Sequence, residues 1–119
     1  MRDWILAACA AVSMVGASAW AGGEGAPIGS ETMTRALHQA LDDERHARAF
    51  YRAVMDVHGV EPPFSRIIEA EARHEAALVA QLERLGAPVP DDRWAEHDFD
   101  VPPTLAEACD AAIVAEVRN

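Results

Sequence analysis

This sequence predicts an all-α fold, and three observations carry that prediction. Three stretches repeat their apolar residues at helical intervals. No segment shows the two-residue alternation of a half-buried strand, and each stretch is bounded by helix start or stop signals. The expected arrangement is an antiparallel bundle of two long helices and a short third.

Ahead of the helices, Met1-Arg2-Asp3 is followed by an apolar run from Trp4 to Trp20, rich in Ala and Val. Two small-x-small sites close it, Ala17-Ser18-Ala19 and Ala19-Trp20-Ala21. This is the layout of a secretory signal peptide over residues 1–21, cleaved before Trp20 or Gly22. A run of about 17 apolar residues, broken by Ser and Gly, is at the short limit for a membrane span. Leu6-Ala7-Ala8-Cys9 has the look of a lipoprotein cleavage box, but most of the apolar run lies after it. The expectation is export to a periplasmic or extracellular space without a lasting membrane anchor. Residues 22–29 then form a flexible arm, and residues 30–119 form the helical domain.

The first helix is expected from Ser30 to His58, with Ser30 or Thr32 as its N-cap and Gly59 as its stop. Its apolar stripe is Leu37, Ala40, Leu41, Glu44, Ala47, Tyr51 and Val54, so one carboxylate interrupts it. The neighbouring Asp42 and Asp43 point elsewhere and need no special role. Pro62-Pro63 opens the second helix, which ends at Leu85 before Gly86. A Pro-rich connector follows from Ala87 to Pro103, with Trp94 and Phe99 expected to pin it to the helices. Thr104 and Glu107 have the spacing of a capping box that starts the third helix. The third stripe is Leu105, Ala108, Cys109, Ala112 and Glu116.

Composition narrows the function. The net charge of −10 argues against nucleic acid, which rewards Lys and Arg, and suits cations or a basic partner. Cleavage of the leader removes Cys9 and leaves Cys109 alone, so no intramolecular disulfide forms. The chain has no Gly-rich phosphate loop, no Ser/His/Asp pattern and no Cys-x-x-Cys.

The second helix carries the sharpest signal. Phe64, Ile67, Glu71, His74, Leu78 and Leu82 fall within one narrow sector at about 100° per residue. Glu71 and His74 therefore project side by side from an apolar stripe, where burial without a partner is costly. Inward-facing Glu-x-x-His is the ligand pair of di-iron carboxylate bundles, which take one Glu from each of two helices and one such pair from each of two more. Glu44, Glu71, His74 and Glu116 are four members of that scheme, in order.

The blocks Leu41-Asp-Asp-Glu-Arg-His-Ala-Arg-Ala-Phe-Tyr51, Ile68-Glu-Ala-Glu-Ala-Arg-His74, Gly86-Ala-Pro-Val-Pro90 and Glu107-Ala-Cys-Asp-Ala-Ala-Ile-Val-Ala-Glu116 resemble the ferritin-like family known as domain of unknown function 2202. The resemblance runs from Thr34 to Asn119. It implies a ferritin-like bundle, commonly exported, with a di-metal site and no settled activity. By that resemblance Glu44, Glu71, His74 and Glu116 match the ligand positions. This sequence departs from the pattern in lacking the final helix with its own Glu-x-x-His. The expected cofactor is iron, as a di-iron centre that oxidises Fe²⁺ or handles peroxide, with manganese or zinc as alternatives that ligand type does not separate. A homodimer is the expected way of completing the site.

Each of these residues also has a plainer reading. Glu44 alone is a common kind of helix carboxylate, Glu71 and His74 make a local ion pair, Glu75 replaces or supports Glu71, and Glu116 frays into water. Tyr51 is a core aromatic with a satisfied hydroxyl, and Cys109 a small core residue. His38, His46, His58 and His97 share no pattern with the ligands. Together these readings describe a non-catalytic helical interaction module, or a truncated family member without a working site. Depth sets one further condition. Glu44 lies about 21 Å down the first helix from its end and Glu71 about 10 Å into the second, at 1.5 Å per residue. They meet only if residues 59–63 descend alongside the first helix.

Overall fold

A computed structural model describes residues 29–118. The leader over residues 1–21, and the arm as far as residue 28, lie outside the described residues. Among the described residues the chain is all-helical: α1 Ser30–His58, α2 Phe64–Arg84 and α3 Leu105–Arg118. None of these helices is long and apolar enough to cross a membrane.

Helix α1 starts one residue earlier than the N-cap expectation placed it. Gly29 occupies the cap with no side-chain bond, and its carbonyl accepts the amides of Thr32 and Met33. This end is exposed, so water satisfies the remaining amides and a Ser or Thr cap is not needed. Gly59 ends the helix at φ 94°, a left-handed value that a side chain would strain. At the end of α2, Leu85 is the cap and Gly86 takes φ 65°. Ala87 donates back to the Leu82 carbonyl at 2.9 Å and Gly86 to Glu83 at 3.0 Å, the bond pattern of a glycine-terminated helix. Thr104 and Glu107 form the expected capping box. Glu107 N–H donates to Thr104 Oγ1 at 3.3 Å, while Thr104 N–H and hydroxyl donate to the Glu107 carboxylate at 3.2 and 2.7 Å.

The principal packing is α1 against α2, with α3 laid mainly on α1. The core gathers at the turn end of that pair: Tyr51, Val54, Phe64, Ala108 and Ala112, with Ile67, Leu105 and Cys109 packed around them. Phe64 has no exposed surface, so its burial contributes about 2–3 kcal/mol. Its ring centroid lies 5.4 Å from that of Tyr51. Tyr51 is about two turns before the end of α1, whereas Phe64 is the first residue of α2. Residues 59–63 therefore run back along α1, and the depth condition for Glu44 and Glu71 is met.

The connector is fastened along α1. The Trp94 indole N–H donates to Asp42 at 2.9 Å, and Arg93 donates to both oxygens of the same carboxylate. The rings of His46, Phe50, Trp94 and Phe99 meet at centroid distances of 4.5–6.2 Å. Asp42 thus has the structural role that the sequence did not suggest. The Arg93 guanidinium beside it is the main reason its carboxyl stays below the usual range. His38 and His58 reach the carbonyls of Pro88 and Pro102, each at 2.8 Å. Both histidines act as fasteners of the connector.

Candidate metal site

Glu44 comes from the middle of α1, and Glu71 and His74 from one face of α2. Because the two helices are antiparallel and level at this depth, the three side chains converge. One ligand-type atom from each lies within 4.8 Å of the other two. His74 Nδ1 is 3.3 Å from Glu44 Oε2 and 3.9 Å from Glu71 Oε2. The side chains grade from closed to open, with 8% of Glu71, 25% of Glu44 and 41% of His74 exposed.

Glu71 is the unusual group. Its carboxyl is pushed up to about 8, first by burial and then by the hydrogen bond and negative charge of Glu44, with Glu116 adding to the repulsion and His74 opposing it. At neutral pH Glu71 therefore favours its protonated form. That is how a fold accommodates two acids in one desolvated place when no cation is there to neutralise them. Among the described residues no arginine pairs with Glu44 or Glu71.

Glu116, the fourth ligand expected from sequence, is not brought into this cluster. It is exposed on α3, and its Oε1 accepts a hydrogen bond from the Tyr51 hydroxyl at 2.7 Å. It lies near enough to act electrostatically on Glu71. Tyr51 is 1% exposed and carries a partner for its hydroxyl, as expected. Cys109 is half-buried, and burial pushes its thiol up, which suits a packing residue and not a nucleophile.

Glu75 neither replaces nor supports Glu71. It faces α1 on the other side of the interface, where Arg45 Nε is 3.0 Å from its Oε1 and Arg48 Nη1 is 2.7 Å from its Oε2. Arg45 also donates to the Pro90 carbonyl at 2.7 Å, and Arg48 lies 3.3 Å from Asp92. Buried Arg45 escaped sequence reasoning because it stands beside the stripe and not on it. Its signal was the spacing Arg45-x-x-Arg48 on α1, with Glu75 level with it on α2.

The donor set fits a divalent transition ion. Two carboxylates neutralise its charge, and one imidazole supplies a softer ligand of the kind Fe²⁺, Mn²⁺ and Zn²⁺ accept. Three protein donors leave positions open on a four- to six-coordinate ion. Compared with protein-family models, with curated proteins and with solved structures, the chain has no match in any of the three.

Proposed function

We propose that this chain is an exported, ferritin-like helix-bundle protein that holds a divalent transition metal, iron first among them, through Glu44, Glu71 and His74. The observation that carries the reading is the convergence of two carboxylates and an imidazole from two helices within 4.8 Å, with no arginine among the described residues paired to either acid. The four sequence blocks that resemble the ferritin-like family support it from a separate direction. A redox metal bound there supplies one-electron chemistry toward oxygen or peroxide.

The chain's own residues have separable tasks. Glu71, closed off from water, would hold the ion as a carboxylate, giving up the proton that its burial otherwise favours. Glu44 contributes the second negative charge. His74 would offer the ion its Nδ1, the ring nitrogen that faces Glu44, with its hydrogen on Nε2. Glu116, held by Tyr51, remains beside the site as an acceptor.

The competing reading, a helical interaction module without metal, takes the 3.3 Å contact of His74 with Glu44 as an ion pair and nothing more. Thermal unfolding separates the two. Anaerobic Fe²⁺ or Mn²⁺ at a hundred times its Kd stabilises a one-site protein by about 2.7 kcal/mol. The expected result is a raised Tm in the wild type and no shift in His74→Ala. An equal shift in both would remove His74 from the site.

A further inference from the structure

The proposed metal site has one side that the described residues do not close. Glu71 is shut in, but the His74 side chain is 41% exposed and that of Glu44 25% exposed, so an ion held there would be open to solvent on that side. Close by, Tyr51 draws the Glu116 carboxylate to within electrostatic reach of Glu71. The α3 residues around Glu116 are apolar and uncovered: Ile113 is 47% exposed, Val114 50% and Val117 81%.

We propose that a second copy of this chain closes this face, in a metal-dependent two-fold dimer that brings two Glu44/Glu71/His74 sets together. The inference rests on the metal-site reading and names its partner. A two-fold contact is self-complementary, so a copy of the chain supplies donors and an apolar strip at matching positions. Two sets give four carboxylates and two imidazoles, which is the donor count of a two-metal carboxylate centre. Charge explains why the metal is required. Each chain carries −10, and facing carboxylates repel until divalent ions neutralise them. Metal-free chains therefore stay apart, and metal-loaded chains pair.

Sedimentation velocity of the exported chain in EDTA and in excess Mn²⁺ tests this, with bound manganese counted in each species. The expected result is a monomer in EDTA and, in Mn²⁺, a dimer holding two ions. Val117→Asp, at a site too exposed to disturb folding, weakens the dimer at least tenfold. Manganese bound to a chain that stays monomeric at tens of micromolar would overturn the dimer and leave the metal site standing. A dimer equally stable in EDTA would overturn its dependence on metal. A chain that binds no manganese would overturn the dimer together with the reading beneath it.

Discussion

Two clusters of charge sit side by side on the same pair of helices and are built in opposite ways. Arg45 follows Glu44 directly, and Glu75 follows His74, yet the sets they belong to share nothing in electrostatic design. Around Glu75, two arginines and the Pro90 carbonyl make a neutralised network that ties α1, α2 and the connector together. Around Glu71, two acids face each other with the His74 imidazole as the one basic group beside them among the described residues, and burial holds a proton on Glu71. The first cluster shows that this fold can place an arginine opposite a desolvated glutamate. Among the described residues none stands opposite Glu44 or Glu71, and the proposed metal would take that place.

The largest effect should come from breaking the neutralised cluster. Arg45→Ala removes a cation beside a poorly exposed Glu75 and leaves the Pro90 carbonyl without its donor. A loss of about 3 kcal/mol is expected, the usual result of taking one partner from a buried pair. Urea unfolding measures it, and a change under about 1 kcal/mol would mean that Arg48 alone compensates Glu75.

A smaller effect, of distinctive sign, should come from the other cluster. Folding raises the Glu71 carboxyl from an ordinary 4.5 to about 8, so the folded metal-free chain keeps a proton that the unfolded chain releases between those values. That contribution is complete below about pH 4.5 and is lost as pH rises through about 8. Glu71→Gln keeps a neutral group of the same shape at every pH. Metal-free wild type and variant should therefore match near pH 4, and the variant should gain on the wild type up to about pH 8 and hold a constant lead above it. Parallel stability curves would show that Glu71 ionises normally in the fold.

Much of the scaffold was legible in the sequence because its signals are local. Gly59, Gly86 and the Thr104/Glu107 box mark helix boundaries through backbone conformation and short-range hydrogen bonds, which do not depend on what packs nearby. Glu71 and His74 were legible for a related reason, since a fixed helical spacing places both on one stripe. What escaped depends on register between helices. Whether Arg45 meets Glu75, or Glu75 meets the site, is decided by how far residues 59–63 descend along α1. Nothing in the composition of that link states the distance. Asp42 was misread because its partners, Arg93 and Trp94, lie across a connector with no periodicity. Glu116 is placed by a single hydrogen bond from Tyr51, a contact that no stripe pattern encodes.

The cluster at Glu71 is proposed to bind metal, and its arginine-paired neighbour at Glu75 is not. Calorimetric titration of Mn²⁺ into wild type, His74→Ala and Asp92→Asn addresses this most directly, the last variant altering an acid of the neutralised cluster. One ion per chain is expected in wild type and Asp92→Asn, and none in His74→Ala. Binding that survives in His74→Ala and disappears in Asp92→Asn would contradict it.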